Sequence, residues 1–133
     1  MMMSAPPAND DTMVMYDENH LLVQEIQREI KEVPVMIYGK GTRQSPRCGF
    51  TMKTANLFEA LGVQNFVIQD ILDNPEKKML LNELLDWRTY PKIFVNGEFC
   101  GGIDAVTDML QNGELEPLLK AALGEEFKMP VVS

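Results

Sequence analysis

Hydrophobic residues in the first half of the chain fall at two spacings, one typical of helices and one typical of strands. Four of them recur at steps of three or four residues: Leu22, Ile26, Ile30 and Val33. This spacing predicts a helix, and Pro34 ends it because proline has no backbone N–H to donate. The unbroken apolar run at 35–38 predicts a short buried strand, and the stretch from Phe50 to Gly62 returns to helical spacing.

The second half of the chain predicts a strand, a helix, a hairpin and two further helices. Residues 66–70 predict the strand, and Pro75 marks the start of the helix because proline suits the first helical position. Segment 92–100 predicts the hairpin, because its central pair Asn96-Gly97 favours the type I′ turn. Helical spacing then returns and continues to about residue 124.

This order of elements predicts an α/β fold in which a four-stranded mixed sheet carries helices on both faces. The strand–helix–strand unit implies a right-handed parallel crossover, while the hairpin adds an antiparallel pair. We expect one domain at 18–124, a flexible N-terminal tail at 1–17 and a C-terminal tail at 125–133. A small α/β sandwich of this kind resembles the thioredoxin-like fold.

Composition narrows the classes of function that the chain can perform. Twelve Lys and Arg residues stand against twenty Asp and Glu residues, and the resulting net charge of −8 disfavours binding to a nucleic-acid backbone. No apolar run approaches the ~20 residues that span a membrane. Two cysteines and one histidine exclude a disulfide scaffold and a zinc site built from both residue types. Neither nucleic acid nor a membrane is therefore expected as a partner.

Cys48 is the residue best suited to chemistry. It stands where a loop enters a helix, so unpaired backbone N–H groups and the positive end of the helix dipole face its sulfur. Arg47 is adjacent and Lys40 lies in the same loop, and both charges favour the thiolate, which is the nucleophile and the metal ligand. The alternative is an inert buried cysteine, but its flanking residues are Pro, Arg and Gly rather than apolar side chains.

Five short strings resemble the monothiol glutaredoxin family in order and spacing over about residues 20–122. They are Lys40-Gly41-Thr42, Cys48-Gly49-Phe50-Thr51, Trp87-Arg88-Thr89-Tyr90-Pro91, Asn96-Gly97-Glu98 and Gly101-Gly102-Ile103-Asp104. Each string alone is weak, whereas five in register are specific. The resemblance implies a thioredoxin-like fold, glutathione binding, a glutathione-ligated [2Fe–2S] cluster that bridges two protomers, and at most weak thiol-disulfide oxidoreductase activity.

The residues around Cys48 agree with this resemblance. Thr51 stands where a dithiol oxidoreductase carries its resolving cysteine, so Cys48 has no neighbouring thiol to resolve a mixed disulfide. A [2Fe–2S] cluster takes four thiolates, and one protomer supplies one of them. Two protomers with two glutathione molecules supply all four. Cys48 is therefore expected to be the catalytic residue, a part of the glutathione site and the metal ligand.

The resemblance also assigns the remaining residues that bind glutathione. Lys40 and Lys78 are expected to meet its glycine carboxylate. Tyr90-Pro91 resembles a segment whose proline is cis and whose backbone faces the peptide like the edge of a strand. Three residues correspond to the turn that holds the γ-glutamyl end: Gly102, Ile103 and Asp104. Phe50 is expected to line the groove.

Several positions depart from the family pattern or carry a structural expectation. Arg88 stands where the family usually has proline and adds a positive charge beside the groove, and Thr51 replaces the usual serine, adding a methyl group near the cluster. Cys100 lies at the end of a hairpin strand, so we expect it to be buried and not bonded to the catalytic cysteine. Trp87 is expected in the core or in the groove wall, and Lys77 in solvent.

Three functions compete at this point. The leading one is a homodimer that carries a [2Fe–2S] cluster and transfers it to apo-proteins in iron–sulfur protein biogenesis, with assembly and recipient proteins as partners. The second is a glutathione-dependent thiol transferase that removes glutathione from proteins with Cys48 as nucleophile. The third is an interaction module that binds BolA-like proteins. The single-domain monothiol form resembles mitochondrial members of the family, which favours the mitochondrial matrix, with the cytoplasm as the alternative.

Overall fold

The computed structural model describes residues 18–130, so the tail predicted at 1–17 lies outside the described residues. The helices and strands follow the order expected from the sequence. In chain order they are α1 (Glu18–Glu32), β1 (Val35–Gly39), α2 (Gly49–Ala60), β2 (Phe66–Asp70), α3 (Pro75–Leu85), β3 (Lys92–Val95), β4 (Glu98–Gly101), α4 (Ile103–Asn112) and α5 (Leu115–Leu123). None of the helices in this part of the chain has the length and apolar character needed to cross a membrane.

The four strands form one mixed sheet with the order β2-β1-β3-β4, which confirms the predicted fold class. β1 runs parallel to β2 and antiparallel to β3, and β3 pairs with β4 in an antiparallel hairpin. The hairpin turn has positive φ at both central residues, 54° at Asn96 and 79° at Gly97. These angles are those of the type I′ turn that the Asn-Gly pair predicts.

Side chains of β1 alternate between two hydrophobic cores, one on each face of the sheet. Val35 and Ile37 belong to the larger core, which includes residues of α2, α4 and α5. Met36 and Tyr38 belong to the second core, which includes residues of α1 and α3. All four side chains are buried, because a central strand that carries helices on both faces exposes neither face to water.

Lys77 contradicts the expectation that it lies in solvent. Its side chain is buried at 1% exposure, and its ammonium group forms ion pairs of 2.7 Å with Glu25 and 2.9 Å with Glu29 of α1. The reason is helical geometry. Lys77 and Leu81 are four residues apart, so they share the face of α3 that packs towards α1. The sequence alone does not show which helix packs against that face.

The segment after α5 contributes to the larger core. Phe127 and Met129 lie within the stretch 125–133 that was expected to form a C-terminal tail, and both are partly buried against this core. The backbone N–H of Phe127 donates to the carbonyl of Gly124 at 3.1 Å, which turns the chain back at the end of α5. Two side chains of the expected C-terminal tail therefore pack onto the domain.

Candidate functional site

Cys48 is the N-cap residue of α2. Its backbone is extended, with φ of −153° and ψ of 157°, and its sulfur accepts a hydrogen bond from the backbone N–H of Thr51 at 3.5 Å. The first N–H groups of a helix have no partner within the helix, so a side chain at this position satisfies one of them. The sulfur therefore lies at the positive end of the α2 dipole, as the sequence predicts.

The hydroxyl group of Thr51 provides a second contact to the sulfur. Its oxygen lies 3.4 Å from the Cys48 sulfur and accepts the backbone N–H of Lys40 at 3.1 Å. Because that N–H occupies a lone pair of the oxygen, the hydroxyl hydrogen is free to point at the sulfur. Thr51 is fully buried, so water does not compete for its hydroxyl group.

These contacts lower the pKa of the Cys48 thiol below its ordinary value. Partial burial by itself raises that pKa, but hydrogen bonds from Thr51, the backbone N–H of Phe50 and the charge of Lys40 outweigh it. Arg47, which was expected to contribute, forms ion pairs with Asp70 at 3.5 Å and Asp73 at 4.0 Å instead. Its charge is balanced there, and Thr51 takes the larger role.

Asp70, at the end of β2, contacts both ends of the loop that leads to Cys48. Its carboxylate accepts the backbone N–H of Gly41 at 3.0 Å and pairs with Arg47, the residue before the cysteine. Hydrogen bonds from the N–H groups of Gly41 and Leu72 hold the pKa of Asp70 below its ordinary range, with a smaller opposing effect from burial. The sequence analysis did not identify Asp70, because its loop partners precede it by more than twenty residues.

A groove with a volume of about 550 Å³ lies beside this loop. Eight of the nine residues expected to bind glutathione line it, and Cys48 itself is not among the lining residues. The eight are Lys40, Phe50, Lys78, Tyr90, Pro91, Gly102, Ile103 and Asp104. Four further residues complete the lining: Trp87, Arg88, Thr89 and Ala105. The structure thus gathers residues from five separate sequence regions around one cavity.

The charges of the groove suit a ligand that carries carboxylates and an ammonium group. Lys40, Lys78 and Arg88 provide three cationic side chains, although the whole chain has a net charge of −8. Asp104 provides an anion in the first turn of α4, whose N-terminal end lines the groove. The free N–H groups of that turn are donors for a carboxylate. Cations and an anion on different walls favour a ligand with both kinds of charge.

The segment 87–91 forms one wall of the groove, and the Tyr90–Pro91 peptide bond in it is cis. Trp87 lies in this wall and packs edge-on against Phe99, with ring centroids 5.5 Å apart. Gly101 lies next to this wall: a Cβ atom there would approach the Cβ of Ala105 to 3.0 Å, a crowded contact, and the indole to 3.6 Å, an ordinary one. Its φ of +101° also favours glycine.

Cys100 has an environment opposite to that of Cys48. Both cysteines are free in the structure. Cys100 is partly buried on β4 and packs against the larger core, and burial raises the pKa of its thiol. The thiol lies 3.5 Å from the carbonyl oxygen of Glu98. A thiol in such surroundings is a poor nucleophile, which separates the two cysteines chemically.

Donor groups for a metal are few in the described chain. Residues 18–130 contain no cluster of three or more His, Cys, Asp or Glu side chains arranged to hold a metal ion. Among these residues, Cys48 therefore stands as a single thiolate donor.

Known proteins share this fold and these features. A family model described as Glutaredoxin matches residues 35–100. A protein of Legionella pneumophila named "Probable monothiol glutaredoxin GrlA" is 44% identical over 88 residues, which cover 66% of this chain and 98% of that protein. A yeast protein of Saccharomyces cerevisiae named "Monothiol glutaredoxin-5, mitochondrial" is 35% identical over 124 residues, which cover 89% of this chain and 83% of that protein.

A solved structure supports the same assignment. The solution structure of a monomeric truncated mutant of Trypanosoma brucei 1-C-Grx1 superposes with a TM-score of 0.67 at 29% identity, over 82% of this chain and 96% of that one. The sequence, the fold and the single cysteine at the start of α2 all agree with those of monothiol glutaredoxins. The chain belongs to the monothiol glutaredoxin family.

Proposed function

We propose that this monothiol glutaredoxin binds glutathione in its groove and, as a homodimer, holds a bridging [2Fe–2S] cluster that it transfers to apo-proteins in iron–sulfur protein biogenesis. One observation carries the proposal. The thiolate-favouring sulfur of Cys48 stands beside a groove with three cationic side chains and has no second thiol at the resolving position, where Thr51 stands. Such a site can donate one sulfur ligand and recruit a second one on a peptide.

Glutathione matches the groove in charge. Its glycine carboxylate has partners of opposite charge in Lys40 and Lys78, and its ammonium group has one in Asp104. We assign Lys40 and Lys78 to the glycine carboxylate and the first turn of α4 to the γ-glutamyl end. The backbone of Tyr90-Pro91, which lines the groove, then lies along the middle of the peptide, where the cysteine sulfur of glutathione approaches Cys48.

The donor chemistry of the site fits a shared cluster. A [2Fe–2S] centre takes four thiolates, and each protomer offers Cys48 together with one bound glutathione. Half of the ligands are thus diffusible, so the protein can release the cluster to an acceptor by exchange of thiolate ligands without a change in oxidation state. Iron–sulfur assembly proteins and recipient apo-proteins are the partners that this activity requires.

The first test is anaerobic reconstitution with iron and sulfide, with and without glutathione, followed by visible absorption and gel filtration. We expect colour only with glutathione, in a species that elutes as a dimer. Cys48→Ser should abolish the colour, while Cys100→Ser is the matched control that retains it. A coloured monomer formed without glutathione would overturn the proposal.

A second candidate function is supported by the lowered pKa of Cys48 and its partial exposure. The Cys48 thiolate attacks the glutathione sulfur of a protein–glutathione mixed disulfide, which releases the protein thiolate and leaves Cys48 bonded to glutathione. A second glutathione thiolate then attacks that glutathione sulfur, which yields oxidised glutathione and restores the Cys48 thiolate. Turnover of a glutathionylated peptide by the cluster-free protein at a rate that depends on glutathione would favour this thiol transferase.

BolA-like proteins and the cellular compartment complete the proposal. A BolA-like partner should bind without Cys48, which a pull-down with Cys48→Ser tests.

We place the protein in the mitochondrial matrix, with the cytoplasm as the alternative. The yeast relative named as mitochondrial supports the matrix, since its similarity covers 89% of this chain.

A further inference from the structure

Lys92 is a buried lysine that the proposed activity does not use. Its relative exposure is 0%, at the first position of β3 and directly after the cis proline. Within residues 18–130 no carboxylate lies within ion-pair distance of its ammonium group. A buried charge without a carboxylate partner is costly, so its retention calls for a specific role.

The ammonium group of Lys92 is held by the groove wall. It donates to the backbone carbonyl of Trp87 at 2.6 Å and to that of Thr89 at 3.0 Å. It also lies 3.8 Å from the ring centroid of Tyr90. Three residues of the segment 87–91 thus converge on one cation, and all three line the groove.

The far end of the same segment is tied to α3. The hydroxyl of Tyr90 donates to one oxygen acceptor and lies within hydrogen-bonding distance of two, the backbone carbonyl of Lys78 at 3.0 Å and the side-chain oxygen of Asn82 at 2.9 Å. Lys92 below the ring and α3 at its tip therefore hold Tyr90 from two sides. The backbone of 87–91 consequently has few ways to move without breaking one of these contacts.

We propose that Lys92 is a positioning residue for ligand binding: its ammonium group holds the carbonyls of Trp87 and Thr89 so that the wall 87–91 presents its backbone to the peptide in the groove. This inference rests on the proposed binding of glutathione for its functional meaning. The organisation of the wall itself is a property of the ligand-free protein. The two can therefore be tested separately.

Electrostatics adds a pH dependence to this role. Burial and, to a smaller extent, the charge of Lys78 on α3 together lower the pKa of Lys92 to about 8. The other titratable groups that face it are Tyr90 in the wall and Tyr38 across the sheet on β1, and burial raises the pKa of both phenols, which keeps them neutral. A ligand carboxylate at Lys78 offsets the repulsion and favours charged Lys92. Binding should then take up protons near pH 8 and weaken above it.

The first experiment measures the wall without ligand. Hydrogen exchange of the Trp87 amide, whose N–H donates to the carbonyl of Asn82 at 3.1 Å, is compared between the parent protein, Lys92→Met and the matched control Lys128→Met, which alters an exposed lysine. We expect faster exchange at this amide for Lys92→Met alone, at least about tenfold, because two charge-assisted hydrogen bonds are lost. Unchanged exchange in Lys92→Met, or equal acceleration in Lys128→Met, would overturn the proposal.

The second experiment measures binding of S-methylglutathione by calorimetry in a Cys48→Ser background at pH 7 and pH 9. Lys92→Met should weaken binding at pH 7 at least about tenfold. The affinity of this variant should also change less between pH 7 and pH 9 than the affinity of the parent, because the variant has no titrating group at position 92. Equal affinities and equal profiles for parent and variant would contradict the role. A parent that binds nothing would instead refute the glutathione site, while the exchange result would still decide the role of Lys92 in the wall. If Lys92→Met does not fold, Lys92→Gln, which loses the charge but keeps a donor, serves in both experiments.

Discussion

The hydroxyl oxygen of Thr51 lies 3.4 Å from the sulfur of Cys48 and accepts the backbone N–H of Lys40 on its other side. The residue that replaces a resolving cysteine thus remains part of the reactive centre, as a hydrogen-bond donor instead of a second thiol. Its methyl group lies 3.2 Å from the position of a Cβ atom at Gly39, and so packs towards β1. The extra methyl group of threonine is therefore buried against β1.

Thr51→Val should raise the pKa of Cys48, because the isosteric side chain cannot donate to the sulfur. The rate of alkylation by iodoacetamide, measured against pH, reports the midpoint. Thr51→Ser should keep the parent midpoint. Thr54→Val is the matched control, since Thr54 is buried in the same helix and donates to the carbonyl of Phe50 instead. An unchanged midpoint in Thr51→Val would show that the backbone N–H groups and Lys40 suffice.

The two cysteines should differ in their reaction with oxidised glutathione. The pKa of Cys48 is lowered and that of Cys100 is raised by burial, so Cys48 carries the larger thiolate fraction at any given pH. We expect mass spectrometry to show one added glutathione, on Cys48. A loss of two hydrogen atoms without an adduct would mean that Cys100 acts as a resolving thiol, which would favour the transferase function.

Lys77→Met should lower the free energy of unfolding at neutral pH by about 2 kcal/mol, because it leaves Glu25 and Glu29 without their cation. Burial by itself raises the pKa of Glu29, but hydrogen bonds from Lys77 and Tyr38 lower it overall below 4.5. A lowered carboxyl pKa stabilises the fold above the unfolded value, and this contribution is lost as the pH falls through the folded value.

The difference in stability between the parent and Lys77→Met should therefore shrink below pH 4.5, as urea unfolding at pH 7 and pH 3.5 would show. Lys78→Met is the matched control for this measurement. It removes the neighbouring charge, which faces the groove, and should weaken glutathione binding with little effect on stability. Equal destabilisation by both variants would contradict the separation of the two lysines.

Gly101→Ala should destabilise the protein more than Gly113→Ala, although both glycines have positive φ. The strain of that backbone conformation costs each variant about 1–2 kcal/mol. A Cβ atom at Gly101 would also lie 3.0 Å from Ala105, whereas one at Gly113 would meet nothing within 4 Å. Thermal unfolding compares the two, and affinity for glutathione should fall only in Gly101→Ala because Ala105 lines the groove. Equal melting temperatures would exclude the steric contribution.

The sequence by itself determined the elements of the fold and the place of the reactive cysteine. Local physical chemistry decides both. Pro75 starts α3, the Asn96-Gly97 pair closes the hairpin, and the position of Cys48 at a helix start follows from the loop before it. The hydrophobic period assigned the helices and strands to within a few residues, because a buried face must repeat at the spacing of its element.

Only the tertiary structure decided which charged residues meet. Lys77 and Lys78 are neighbours in the chain, yet about 100° of helical rotation between them sends one to α1 and the other to the groove. Arg47 pairs with Asp70 because β2 ends beside the loop that carries Arg47. Such contacts depend on how the helices and strands pack against one another. The spacing of residues along one element does not indicate which other element packs against it.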